Sequence, residues 1–268
     1  MGAAPSTKRR LPRRRDTRAA QLAAADKAVA AANKLSNEDF ASEFIKPSDA
    51  SWPAWTHPQT QESYTLSLRS PEDMDDGELT ACFDIVEQTS GDDYRGAAGG
   101  WHPLAKRAEM RSPGLRYILV TTTNHGRGAG GADQAQGEIR AFTSFMPTFE
   151  DSQPVVYCYE IHLLPEMERA GLGKILMDHV TTAADNIPTL EKTMLTCFVS
   201  NAHARRFYEK LGFDVDQSSP RPRRLRDKVI EPEYVILCRR TNKGADQTDG
   251  GEHQEKRTKN TAGSGTGT

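Results

Sequence analysis

Hydrophobic and polar residues alternate with two different periods along the middle of the chain, and these periods predict its strands and helices. Strand-like runs lie at residues 63–68, near Tyr117, Ala141 and Tyr157, at 193–199, near Phe213 and at 234–238. Helical periodicity covers 73–93, 104–110 and 171–186, and a further helix begins at Asn201 and ends before Gly212. The pattern therefore predicts a mixed α/β (α+β) fold.

Both ends of the chain differ in composition from its middle, which suggests four segments. Residues 1–18 include a basic cluster that suits a nuclear localisation signal, a nucleic-acid contact or a solvated disordered tail. Residues 19–62 begin with an alanine-rich helix, expected to pack weakly or on the outside, and continue as an extended segment. Residues 63–240 form one domain, with a long loop at 124–136, and residues 241–268 are predicted to be disordered.

Composition narrows the class of protein without identifying it. The formal net charge of −2 gives no overall attraction to nucleic acid or membranes. The four cysteines are far apart, which suits buried reduced thiols and an intracellular protein. Since no apolar run reaches the ~18 residues of a membrane helix, a soluble protein that is not exported is expected.

A glycine-containing loop follows the apolar strand at 155–163 and leads into a helix. The first amide groups of a helix lack internal partners and carry a partial positive charge, so such a loop can cradle phosphate. An anionic cofactor is therefore implied, although an ordinary loop is the alternative. The candidate residues are Arg169, Ala170, Gly171, Leu172, Gly173 and Lys174.

Two motifs resemble the signatures of the GCN5-related N-acetyltransferase (GNAT) family. The first signature is Gln or Arg, two residues, Gly, one residue, and Gly or Ala; both glycines match, and Glu168 replaces the first position, with its side chain expected to point away. The second comprises Asn201, Ala204, Tyr208, Gly212 and Phe213. The resemblance implies a mixed sheet of about seven strands flanked by helices, an extra N-terminal helix, and acetyl-CoA as co-substrate. Further cofactor contacts would come from Ile161, His162, Leu163 and Asn201.

Within that family, the runs 157–160, 194–196 and 218–220 are similar to the histone-specific N-terminal acetyltransferases, the N-alpha-acetyltransferase D type. This similarity implies acetyl transfer to the α-amino group of histone four and histone two-A tails, which begin Ser-Gly-Arg-Gly. It also suggests a protein of the nucleus and cytoplasm. A broader lysine or small-amine acetyltransferase and a GNAT module that binds without turnover remain alternatives.

The expected chemistry needs a base for the α-ammonium group, whose pKa is roughly 7.7–8.0. Glu160 is the candidate, and partial burial in its apolar strand is expected to raise its pKa; a glutamate that faces water or pairs with an arginine is the alternative. Tyr208 could protonate the leaving thiolate or belong to the core. No role is expected for the His162 side chain, and no histidine spacing indicates a metal.

Substrate recognition is predicted mainly from the resemblance. The candidate substrate-binding residues are Tyr94, Tyr159, Thr196, Ser218 and Tyr234. Tyr157 and Trp101 could add to an aromatic wall, with core packing preferred for Trp101. Glu150 or Asp151 could bind the arginine of the tail. The arginine-rich loop at 221–226 is expected to face solvent, with DNA or an acidic surface as alternatives, and a monomer is expected.

Overall fold

The computed structural model describes residues 14–45, 52, 54–123, 137–226 and 228–242. The predicted disordered tails at 1–18 and 241–268 and the predicted loop at 124–136 lie largely outside these residues. Within them, residues 14–18 are helical and Thr241 is buried. Within the described residues, no helix is both long and apolar enough to cross a membrane.

The described elements follow the predicted order. The helices are α1 (Arg14–Lys34), α2 (Asn37–Phe40), α3 (Asp76–Gly96), α4 (Pro103–Glu109), α5 (Leu172–Asn186) and α6 (Ala202–Lys210). A π-helical turn, Ala41–Ile45, continues α2, and a 3₁₀ turn, Pro165–Met167, precedes α5. The strands are β1 (Trp55–Thr56), β2 (Ser63–Arg69), β3 (Arg116–Thr122), β4 (Ile139–Glu150), β5 (Gln153–Leu163), β6 (Lys192–Phe198), β7 (Asp214–Val215), β8 (Arg223–Leu225), β9 (Lys228–Ile230) and β10 (Tyr234–Arg240).

Eight of the described strands form one mixed sheet in the order β1-β2-β3-β4-β5-β6-β10-β7. All neighbours are antiparallel except β5 and β6, which are parallel. The mixed α/β sheet is confirmed. The short β1 and the separate β8–β9 hairpin, which occupies the predicted arginine-rich loop, were not anticipated.

The parallel pairing of β5 with β6 covers only part of β5. It joins Val155–Cys158 to Lys192–Leu195, whereas β5 continues to Leu163 along β4. The β4–β5 register also shifts between Ser144 and Phe145, so that Tyr159 is an extra residue on β5. Among the described strands, none pairs with this side of the carboxyl end of β5, and this side faces the site described below.

Helix α1 lies on the outside of the domain, as expected, but its attachment is more specific than its thin apolar face indicated. Ala25, Val29 and Ala32 are buried against the sheet. Asn33 Nδ2 donates to the Pro147 carbonyl at 2.9 Å. Buried Arg116, on β3, donates to the carbonyls that end the helix, 2.6 Å from its Nη2 to the oxygen of Leu35.

We expect Arg116→Met to lower the free energy of unfolding by about 2–3 kcal/mol, because hydrogen bonds from a buried charged group are lost. Urea denaturation measures the change. The matched control is Arg111→Met, which removes an exposed pair with Asp76 and should cost less than about 1 kcal/mol. Equal losses in the two variants would show that Arg116 does not hold α1.

Candidate active site

A cavity of about 760 Å³ lies between the end of β5, the 169–174 loop and helix α6. We call it the loop cavity. The predicted cofactor residues that line it are Ile161, His162, Leu163, Arg169, Gly171, Gly173, Lys174 and Asn201. Ala170 and Leu172 are not among the lining residues, and the Leu172 side chain is fully buried in the core. Glu168, whose side chain was expected to point away, is exposed and does line the cavity.

The N-terminus of α5 faces the loop cavity without a capping side chain. Its N-cap, Gly171, has φ +85°, and a Cβ there would meet no atom within 4 Å. A Cβ on Gly173 would lie 3.4 Å from the Phe207 ring on α6, an ordinary van der Waals distance, so a small residue fits at this position. The amides of the first helical turn are therefore left for a ligand, as an anion site requires.

A smaller cavity of about 90 Å³ adjoins the loop cavity, and we call it the inner cavity. Three predicted substrate residues, Tyr94, Tyr159 and Thr196, line it together with Glu160. The two cavities share lining residues, namely Ser90, Ile161, His162, Asn201, Ala204 and Tyr208. The site is thus divided into two compartments that meet beside Glu160.

Two other predicted substrate residues lie elsewhere. Ser218 donates to Asp216 at 2.7 Å, and Tyr234 is 42% exposed at the start of β10. Neither lines the cavities, so their substrate roles stay predictions. Trp101 packs against Phe83 and donates to Glu87, as its preferred core role requires.

Glu160 is buried and holds an ion-paired network that the sequence did not reveal. Its Oε1 accepts from Lys106 Nζ, on α4, at 2.8 Å. Its Oε2 lies 2.5 Å from His162 Nε2, and His162 Nδ1 lies 2.6 Å from the Thr89 hydroxyl on α3. Lys106 also donates to the hydroxyl of Tyr94 at 3.0 Å. Helices α3 and α4 thus position the carboxylate from one side.

The prediction of a raised pKa for Glu160 was wrong. Burial by itself would raise this pKa, but the hydrogen bond from His162 and the charge of Lys106 outweigh burial and lower the pKa. The alternative of an arginine partner was also wrong, because the partner is a lysine. The expectation that the His162 side chain has no role was also wrong, because this side chain contacts the Glu160 carboxylate. Glu160 is consequently ionised at neutral pH.

Tyr208 and Asn201 each combine a structural position with a place in the site. The Tyr208 ring is 5.8 Å from that of Phe213, yet the residue lines both cavities. Burial raises the pKa of Tyr208, so its phenol stays protonated. Asn201 Oδ1 accepts from the Ala204 amide at 2.9 Å and so caps α6 from the cavity wall.

Acidic residues lie near the aromatic wall of the inner cavity. Tyr157 Oη is 2.5 Å from Thr196 Oγ1, and its ring is 5.1 Å from that of Tyr159. Burial, followed by the negative charge of Glu150 at the end of β4, raises the pKa of Tyr159.

Among the described residues, no group of three or more His, Cys, Asp or Glu is placed to hold a metal ion.

Comparison with known proteins identifies the domain. Residues 108–213, which include the two glycines, Glu160 and α6, match the acetyltransferase (GNAT) family. The N-alpha-acetyltransferase 40 of Saccharomyces cerevisiae is 32% identical over an alignment of 196 positions, and the alignment covers 60% of this chain and 64% of that protein. The chain therefore spans less than two thirds of the length of this relative.

Solved structures show a weaker likeness. Arabidopsis thaliana NAA60 in complex with a bisubstrate analogue has 13% identity and a TM-score of 0.47, covering 66% of this chain and 100% of that one. The ribosomal-protein-S18-alanine N-acetyltransferase of Escherichia coli has 18% identity and a TM-score of 0.43, covering 66% and 94%. At these TM-scores neither likeness decides the fold. The family match and the two signatures agree: residues 108–213 of the chain match the acetyltransferase (GNAT) family.

Proposed function

We propose that this protein is an N-terminal protein acetyltransferase, which moves the acetyl group of acetyl-CoA to the α-amino group of a peptide. The observation that carries the proposal is a buried carboxylate with a lowered pKa, Glu160, which lines the small aromatic cavity next to Ile161 and His162, two residues that also line the large cavity at the uncapped helix end. A module that only binds acetyl-CoA has no need for such a carboxylate.

The loop cavity fits acetyl-CoA in charge and in main-chain geometry. The uncapped first turn of α5 suits the pyrophosphate, with Arg169 and Lys174 beside it. The edge of β5 after Cys158 has no β6 partner, so the main chain of 161–163 can pair with the amides of the pantetheine arm. When bound, acetyl-CoA supplies an activated acetyl thioester.

The residues at the junction supply proton transfer and orientation. Removing a proton from an α-ammonium group near neutral pH costs only about 1 kcal/mol, so a carboxylate that acts directly or through one water suffices. Glu160 is that acceptor, and the protonated phenol of Tyr208 is the donor for the leaving sulfur. Tyr94, Tyr159 and Thr196 surround the space for the amine.

The proposed substrates are histone four and histone two-A tails, in the nucleus and cytoplasm, bound by a monomeric enzyme. A terminal serine followed by glycine suits the small inner cavity, because bulky side chains would not fit beside its tyrosines. Glu150 and Asp151, at the β4–β5 turn, offer carboxylates to the arginine at the third position. The name of the yeast relative agrees with an N-alpha-acetyltransferase.

The test incubates the purified protein with acetyl-CoA and a Ser-Gly-Arg-Gly-Lys peptide whose N-terminus is either free or blocked. Mass spectrometry then locates the added acetyl group. We expect acetylation of the free α-amine alone, and a higher KM when the arginine is replaced by glutamate. Acetylation of lysine in the blocked peptide would instead support the broader enzyme. Measured acetyl-CoA binding without transfer to any peptide would contradict the proposal.

We expect Gly171→Ala to weaken acetyl-CoA binding by about tenfold, because the added Cβ projects into the space beside the helix end. Positive φ adds a stability loss of about 1–2 kcal/mol. Isothermal titration calorimetry and urea denaturation measure the two effects. Gly212→Ala is the matched control: Gly212 has φ +82° but does not line the cavities, so it should lose stability and keep its affinity. Equal losses of acetyl-CoA affinity in the two variants would contradict the assignment of the α5 N-terminus as the phosphate site.

A further inference from the structure

The turn between β1 and β2 is organised by the buried side chain of His57. This residue follows β1 directly and is 5% exposed. Its Nδ1 accepts from the backbone amides of Gln59, at 3.3 Å, and Thr60, at 3.1 Å. A backbone amide can only donate, so Nδ1 carries no hydrogen and the ring hydrogen is at Nε2. The turn therefore fixes both the position of the imidazole and the direction in which it donates.

The donor of His57 reaches the segment that precedes the 169–174 loop. His57 Nε2 lies 3.2 Å from the carbonyl oxygen of Glu166, and a carbonyl oxygen can only accept. Glu166 is in the 3₁₀ turn Pro165–Met167 and is 109 residues from His57 in the sequence. The N-terminal segment therefore holds the main chain of the turn from which the chain enters the loop cavity.

Strand β4 holds the same 3₁₀ turn at a second point. The guanidinium group of Arg140 pairs with the carboxylate of Glu166, and the Arg140 carbonyl accepts from the Leu164 amide at 3.1 Å. The Met167 side chain is buried in the core. Glu166 is thus held by its carbonyl through His57 and by its carboxylate through Arg140.

The N-terminal segment also contacts helix α5 itself. Asn186 Nδ2, in the last turn of the helix, donates to the Phe44 carbonyl at 2.9 Å. The ring of Trp52 lies 5.0 Å from that of His179, in the middle of the helix. The segment before β2 therefore contacts α5 along its length as well as the turn that leads to its N-terminus.

The loop that follows the 3₁₀ turn has two residues with left-handed backbone conformation. Arg169 has φ +56° and Gly171 has φ +85°. This conformation is uncommon for a residue with a Cβ and persists where the surrounding structure enforces it. Both residues line the loop cavity, as does Glu168 directly after the turn. The direction in which the chain leaves the turn therefore decides where the first amides of α5 point.

We propose that His57 is a positioning residue for acetyl-CoA, which acts by holding the Glu166 carbonyl and thereby the backbone of 168–171 at the N-terminus of α5. The inference rests on the proposed function, in which this helix end binds the pyrophosphate. His57 lines neither cavity, so it acts through the loop and does not touch the cofactor. It also lies outside residues 108–213, so the N-terminal segment contributes to the acetyl-CoA site.

The test separates the local role of His57 in its own turn from its contact with Glu166. In His57→Asn, the side-chain oxygen still accepts from the amides two and three residues ahead, as asparagine does in turns, but the side chain is too short to reach Glu166. We expect the full-length variant to bind acetyl-CoA about three- to tenfold more weakly than the wild type, which corresponds to one hydrogen bond. Isothermal titration calorimetry measures the affinity.

Kinetics on the free Ser-Gly-Arg-Gly-Lys peptide should give a matching result. The KM for acetyl-CoA should rise by a similar factor in His57→Asn, while kcat and the KM for the peptide stay close to the wild-type values. The matched control is Tyr64→Phe, which removes a hydrogen bond to Glu62 of 2.9 Å in the same hairpin and leaves the contact with Glu166 in place. An unchanged affinity in His57→Asn, or an equal loss in Tyr64→Phe, would overturn the proposal.

Hydrogen exchange gives a readout that needs no acetyl-CoA. The Met167 amide donates to the Leu164 carbonyl at 2.8 Å within the 3₁₀ turn, and it should exchange faster in His57→Asn than in the wild type. Exchange at the wild-type rate would show that His57 does not hold the turn. If His57→Asn does not fold, Arg140→Gln releases Glu166 by its carboxylate and should also weaken acetyl-CoA binding; an unchanged affinity would overturn the proposal.

The outcomes also separate this inference from the proposed function. A wild type that binds acetyl-CoA but acetylates no peptide would contradict the proposed function alone, and the affinities of the variants would still decide the role of His57. A wild type that binds no acetyl-CoA would overturn both.

Discussion

Glu160→Gln should reduce kcat for acetylation of a peptide α-amine by about 10²–10⁴-fold, because a carboxamide cannot accept the amine proton. The side chains have nearly the same shape, so the inner cavity should keep its size. Steady-state kinetics with the Ser-Gly-Arg-Gly-Lys peptide give the loss, and calorimetry should show unchanged affinity for acetyl-CoA.

The matched control is Glu138→Gln, which removes an exposed carboxylate that pairs with Arg140 far from the inner cavity. Its kcat should equal that of the wild type. A loss of less than tenfold in folded Glu160→Gln protein would mean that another group accepts the proton, and Glu160 would then be a structural member of the Lys106 pair.

Lys106→Met should lower the free energy of unfolding by about 3–5 kcal/mol at neutral pH, because it leaves a buried carboxylate without its cation. Glu160 is 6% exposed and Lys106 8%, so water cannot replace the lost partner. Urea denaturation measures the change. The matched control is Lys174→Met, which removes an exposed pair with Asp178 and should cost less than about 1 kcal/mol.

The pH dependence of this loss identifies its cause. In the wild type the pKa of folded Glu160 is lowered, so Glu160 adds stability above its unfolded pKa, and this stability is lost as pH falls through the folded pKa. Without Lys106 the burial of Glu160 opposes ionisation more strongly. The stability gap between wild type and variant should therefore be widest near neutral pH and shrink in acid. A constant gap would indicate lost packing in place of a lost ion pair.

The parts of the site that the sequence predicted depend on local signals. The sequence predicted the helix end at Gly171 and Gly173 and the end of α6 at Gly212, which has φ +82°. In each case the backbone geometry that needs glycine and the glycine itself lie within one helical turn. The long strands and helices were predicted because their hydrophobic periodicity is also a local signal. Strands of two or three residues, such as β1, β8 and β9, are too short to show the alternation of hydrophobic and polar residues that predicts a strand.

The parts that were missed depend on contacts between distant segments. Lys106 is 54 residues from Glu160, and no spacing in the sequence indicates that α4 brings its ammonium group to β5. The wrong direction predicted for the pKa of Glu160 came from leaving out two partners, His162, which lies only two residues along β5 and has the larger lowering effect, and Lys106. Likewise Arg116 lies 81 residues from Leu35, so the attachment of α1 was underestimated. Ser218 and Tyr234 were carried over by resemblance, and the structure places them outside the two cavities.

The central claim is that acetyl-CoA and a peptide α-amine approach Glu160 from the two adjoining cavities. A crystal structure of the protein with a conjugate of coenzyme A linked through an acetyl group to Ser-Gly-Arg-Gly tests it most directly. We predict the pyrophosphate at the first turn of α5 and the α-nitrogen within hydrogen-bonding distance of Glu160, directly or through one water. A conjugate whose peptide leaves the inner cavity empty, with its nitrogen remote from Glu160, would contradict the account.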